Sequence, residues 1–199
     1  MAENWLESLV WTDYRVAVLF TVLIPLGLLL WALVTKADAL QKLMVIYWRV
    51  SSLLAITVYL MIGSLPVSFV AALGARVLIP LGLWFWVDLN EEIDDQPQGR
   101  LKFAFKAWRW AMTIYCAIGT VAQVLTLPCA LKPTEVLVKD AACRVWLEPT
   151  WLYREYFHNN TNPSFLGVLG VLGLAIYVIY LAYFVVFRLG KQGRSATGV

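Results

Sequence analysis

Residues 16–35 form a run of twenty residues without a charged side chain. A helix needs about 20 predominantly apolar residues to cross a bilayer. Lipid offers the backbone no hydrogen bonds, so such a run closes its own as a helix. Two further runs, 50–75 and 164–187, are uncharged over at least that length. Composition agrees: 61% of the 199 residues are apolar, 15% are charged, and mean hydropathy is +0.70. Soluble domains run nearer 45–50% apolar and about 25% charged. The class expected is an all-α integral membrane bundle, read as a single domain over 1–199. A disordered chain and an ordinary nucleic-acid binder are excluded, and a net charge of +3 is too small to imply an anionic polymer as partner.

Residues 50–87 divide in two ways, because Arg76 interrupts an otherwise apolar stretch. One division makes 50–75 a single long span and 77–87 a re-entrant piece. The other makes helices of 43–63 and 67–87 around a tight turn at Ser64-Leu65-Pro66, which turn chemistry favours. With further spans at 107–127 and 164–187, five crossings result. An external N-terminus then puts Lys36, Lys42, Arg49, Arg100, Lys102, Lys106, Arg109, Arg188, Lys191 and Arg194 inside, against Arg15, Lys132, Lys139, Arg144 and Arg154 outside. The positive-inside rule prefers that arrangement, with a cytoplasmic tail at 188–199. Glu3, Glu7 and Asp13 precede the first basic residue, Arg15, so the first run reads as a retained span rather than a cleaved leader. Residues 128–163 form an external loop with an interfacial segment. No internal repeat supports an inverted-repeat transporter.

Arg76 is the sharpest feature, because it falls near the middle of 67–87. A charge at bilayer depth costs about 2.5–3.5 kcal/mol on insertion scales and marks a functional site by default. All thirteen acids lie outside the predicted spans, and Asp88 is about 18 Å away along the helix. Arg76 is therefore expected to meet an anion, a head group, a partner protein, or backbone near Gly74 and Pro80. Arg49, Ser52, Tyr59 and Gly63 share a helical face that could turn inward and solvate it. Arg49 and Arg109 read chiefly as snorkelling anchors.

Asp88, Glu91, Glu92, Asp94 and Asp95 cluster directly after Trp84-Phe85-Trp86. Dense carboxylates suit a hard cation, but a solvated loop docking onto Arg100, Lys102, Lys106 or another protein is the plainer reading. Cys129 and Cys143 share the external segment and are either bridged across a loop of about 15 residues or free thiols. Gly167, Gly170 and Gly173 recur at three, with Tyr177, Tyr180 and Tyr183 beyond them. Such a stripe lets backbones approach within the bundle or against a partner, or forms a pigment or quinone groove. His158 could ligate a metal or pigment, or simply hydrogen-bond. No cofactor is predicted and no metal site is assigned.

The stretches LAITVYLMIGSLP (54–66), LWFWVDLNEEIDD (83–95), WLEPTWLYREYFHNNTNPSFLG (146–167) and RLGKQGRSATG (188–198) resemble a family of small multi-pass cyanobacterial membrane proteins, nominally a domain of unknown function. The resemblance runs from residue 8 to the tail. It implies a photosynthetic organism and the thylakoid, or alternatively the plasma, membrane, and it supplies no catalytic residues. The expected function is a non-catalytic accessory, assembly or stability factor for a larger membrane complex, with lipid and another membrane protein as partners. Arg76, the acidic 88–95 segment, the glycine face and the 146–158 segment are the expected contacts. The alternatives are a small-anion transporter or channel centred on Arg76, and a lipid-, quinone- or pigment-handling enzyme.

Overall fold

In a computed structural model that describes residues 2–196, the chain is helical throughout, with no strand among those residues. The first rod is longer than the uncharged run suggests. It comprises α1 (Ala2–Val18), a π-helical turn (Leu19–Leu23) and α2 (Ile24–Val34). Pro25 explains the wide turn. Proline has no N–H to donate, and the Ile24 N–H bonds back to the Leu19 carbonyl. The Phe20 and Thr21 carbonyls thereby lose their intrahelical donors. Two neighbouring helices supply replacements: Trp108 Nε1 donates to Phe20 O at 2.9 Å and Tyr47 Oη donates to Thr21 O at 2.8 Å. The two donor rings meet edge-on, 5.0 Å between centroids.

After a turn at Lys36 (φ 54°), α3 runs over Asp38–Ile62 and α4 over Val67–Trp84, joined by a tight turn at Ser64 (φ 53°). The two-helix division of 50–87 is the one adopted. The chain breaks at Trp86 into a short amphipathic helix, α5 (Val87–Asp95), where a loop was expected. Leu89 and Ile93 are its buried face and the carboxylates its outer one. Next, α6 (Arg100–Val124) returns antiparallel along α4. Thr113 meets Trp84, Gly119 lies against Arg76, and Cys129 packs with Phe69 and Ala72.

Residues 128–163 are a helical cap rather than an open loop. A 3₁₀ turn (Leu127–Leu131) leads into α7 (Thr134–Lys139), α8 (Ala141–Arg144) and α9 (Glu148–Phe157). Leu137, Cys143 and Leu147 form a small core with Met61, Phe69 and Ala72. The last long helix, α10 (Pro163–Tyr183), continues through a second π-helical turn (Phe184–Leu189) into α11 (Gly190–Gln192). Residues 197–199, the end of the expected tail, lie outside the described residues.

Among the described residues, four helical stretches are long and apolar enough to cross a membrane: Trp5–Val34, Asp38–Ile62, Val67–Trp84 and Pro163–Leu189. The protein is membrane-embedded. The expected fifth span at 107–127 corresponds to α6, which has the length but not the apolarity: Arg109 and Gln123 are both buried within it.

Candidate functional site

Arg76 has a carboxylate partner after all. Its Nη2 bonds Asp13 Oδ2 at 2.5 Å. Tyr115 Oη donates to Asp13 Oδ1 at 2.8 Å, and the guanidinium lies 5.5 Å from the Tyr115 ring centroid. The expectation of no acid within reach fails because α1 continues the first rod outward past the uncharged run and carries Asp13 to α4. Gly119 on α6 makes room, since a Cβ there would collide with the Arg76 guanidinium. One ion pair and one phenol thus join α1, α4 and α6. The helical pattern of Trp5, Leu6, Leu9, Val10 and Tyr14 was the available signal that α1 begins early.

The face of Arg49, Ser52, Tyr59 and Gly63 does not solvate Arg76. Ser52 Oγ donates to the Arg49 carbonyl at 2.7 Å. Tyr59 Oη pairs with His158 Nε2 at 3.2 Å, joining α3 to the end of α9. Gly63 meets Gly167: a Cβ on Gly63 would lie 2.6 Å from the Gly167 Cα. The glycine stripe is consumed inside the bundle. Gly170 leaves room for the Leu60 backbone, 2.9 Å from its own would-be Cβ, and Gly173 faces Ile56. Tyr177 Oη then donates to Val50 O at 3.2 Å. As an interface with a partner, this face is already taken. His158 is hydrogen-bonded, and no group of three or more His, Cys, Asp or Glu capable of holding a metal occurs among the described residues.

Arg109 is not a snorkelling anchor. It is 3% exposed, its guanidinium lies 4.0 Å from the Trp84 ring centroid, and Nη1 bonds Asn90 Oδ1 on α5. Asn90 Nδ2 in turn donates to Trp86 O at 2.7 Å. Lys102, equally buried, donates to the carbonyls of Asp94 (2.8 Å) and Gln96 (2.5 Å). Lys106 pairs with the Asp94 carboxylate at 2.7 Å, which holds that carboxyl below its ordinary range. The first three turns of α6 therefore grip α5 from three points. At the other end, Asp88 Oδ2 accepts from Ser195 Oγ (3.1 Å) and Ala196 N (2.8 Å), and the Val87 N–H donates to Arg194 O. Glu91, Glu92 and Asp95 stay exposed. In the sequence Asn90 reads as one more polar residue of the acidic cluster, and nothing there marks it as the partner of Arg109.

Cys129 and Cys143 are bridged, fourteen residues apart. Lys132 pairs with Asp140, whose carboxyl is held below its usual range by that hydrogen bond. Asp140 Oδ1 also accepts from Ala142 N, starting α8. Cys116 is free and buried.

The sequence profile of a family described as "Protein of unknown function (DUF3177)" matches residues 7–197. The chain belongs to the DUF3177 family. No curated protein and no solved structure matches it. Family membership accords with the expected resemblance to an uncharacterised family and assigns no chemistry.

Proposed function

We propose that this DUF3177 protein is a non-catalytic accessory or assembly factor that binds a basic partner through α5 at the cytoplasmic face of a membrane complex. One observation carries the reading. Asn90, Asp94 and the Asp94 and Gln96 carbonyls are spent on Arg109, Lys106 and Lys102, while Glu91, Glu92 and Asp95 are exposed on the same helix. A fixed row of carboxylates beside a membrane repels anionic lipid and complements a positively charged protein patch.

The proposed topology has five crossings with the N-terminus outside. Since α6 lies along the length of α4, it crosses wherever α4 crosses. Arg109 and Gln123, which lower its apolarity, point into the bundle rather than at lipid. The ion pair with Asp13 speaks against Arg76 as a transport site, because an internal carboxylate already occupies the anion position. A photosynthetic, thylakoid complex is the partner class we propose, on the resemblance alone.

Affinity purification from native membranes in mild detergent, followed by mass spectrometry and absorption spectroscopy, tests the reading. Stable recovery with a photosynthetic membrane complex supports it. Repeated recovery of the chain alone, or of anion flux that Arg76→Met abolishes, overturns it.

A further inference from the structure

A lateral cleft of about 310 Å³ opens between α3, α4 and the last turns of α10. Cavities of ~300–1,000 Å³ are the usual size of small-ligand sites. Its wall is mostly aliphatic and aromatic, including Leu78, Leu81, Phe184 and Val185. Two cations line it as well, Arg49 from α3 and Arg188 from the π-helical turn that follows α10. Neither guanidinium has a hydrogen-bond or ion-pair partner among the described residues, whereas Arg76, Arg109 and Arg144 each have one.

Arg49 and Arg188 stand at the same end of the bundle. Val50, next to Arg49, packs on Gly82, two residues before the end of α4, and Phe85, Trp86 and Leu189 line the cleft beside the two cations. A pair of unpartnered cations at a span end suits an anionic head group. Arg188 closes the candidate span Pro163–Leu189, at the level where phosphate head groups reside. A free inorganic anion would use the two arginines and gain nothing from the apolar wall. An amphiphile with an anionic head and an acyl chain uses both. The cleft floor is pre-formed, because Ala196 lines it and is held there by its N–H bond to Asp88.

We infer that this cleft binds one anionic membrane lipid, with its head group on Arg49 and Arg188 and an acyl chain along Leu78, Leu81 and Phe184. The inference is independent of the partner assigned to α5.

Native mass spectrometry of the detergent-purified full chain tests it. The chain is delipidated and titrated with phosphatidylglycerol, phosphatidylcholine or inorganic phosphate. One phosphatidylglycerol per chain is expected, at least about tenfold tighter than phosphatidylcholine, since each charge-assisted contact is worth a factor of that order. The double variant Arg49→Gln/Arg188→Gln loses that preference. Leu81→Trp, which keeps both arginines but crowds an exposed lip of the cleft, weakens phosphatidylglycerol similarly. Arg154→Gln, remote on α9, leaves it unchanged. Equal retention of both lipids, binding of phosphate as tight as that of lipid, or full affinity in both cleft variants would overturn the inference. Thermal melting of each variant separates lost binding from lost fold. Should the double variant not fold, the Leu81→Trp result and the lipid preference of the unmodified chain decide alone.

Discussion

Two side chains repair the backbone of the first rod. Tyr47 and Trp108 donate to carbonyls that Pro25 leaves without helical partners. Removing a donor strands a buried carbonyl, at about 1–3 kcal/mol. Tyr47→Phe is therefore expected to lower stability by that amount in a detergent denaturation titration, although it removes only one oxygen atom. The Asp13–Arg76 pair makes a different prediction. Asp13→Asn or Arg76→Met leaves the other, part-buried charge unpaired, a loss on the order of 1–3 kcal/mol. The double variant is expected to recover a good part of that, since no unpaired charge remains. Strictly additive losses would mean that the two charges do not depend on each other. Arg76 itself was legible in the sequence as an intramembrane cation. Its partner was not, because Asp13 lies outside the charge-free run that marks the first span.

At the scale of elements, α3 and α10 are held by shape. Gly63, Gly167 and Gly170 allow backbone contact that any side chain would prevent. Gly170→Leu is expected to separate the two helices, read as a lost crosslink between cysteines placed at Ile56 and Gly173. A preserved crosslink would contradict the packing. The α5 grip carries a pH signature. Asp94 has its carboxyl pKa lowered in the folded chain, chiefly by its hydrogen bond from Lys106. Its contribution is therefore complete above the unfolded carboxylate value of about 3.9 and is lost as pH falls through the lower folded value. Hydrogen exchange of the α5 amides is expected to stay flat from neutral pH down to about 4, once corrected for intrinsic exchange, and to quicken below that. The pair is largely exposed, so the effect is small. Helix existence and the turn at Ser64-Leu65-Pro66 could be read from periodicity and turn chemistry. The helical state of α5 could not: Leu89 and Ile93 are its only buried apolar residues, too few to set a period against the dense carboxylates.

Across the whole molecule, a membrane bundle satisfies its buried cations Arg76, Arg109 and Lys102 with a carboxylate, an amide and backbone carbonyls, and carries a stapled cap at one end. The Cys129–Cys143 bridge closes a loop of about 15 residues, worth ~3 kcal/mol in the entropy model. Reductant is expected to expose residues 130–142 to protease while the α3–α10 pair stays intact. Fold class was legible because bilayer length is written directly into the sequence. The fifth long helix was harder, since α6 turns its polar residues inward and only neighbouring helices reveal that. The central claim is that α5 presents Glu91, Glu92 and Asp95 to a basic partner. Quantitative affinity capture of the unmodified chain and of the Glu91→Lys/Glu92→Lys/Asp95→Lys variant from native membranes tests it most directly. All three side chains are exposed, so the variant is expected to fold and insert normally and to lose its co-purifying partner at least tenfold, with loss of the partner from the unmodified chain in high salt. An unchanged partner yield in the reversed-charge variant would contradict the account.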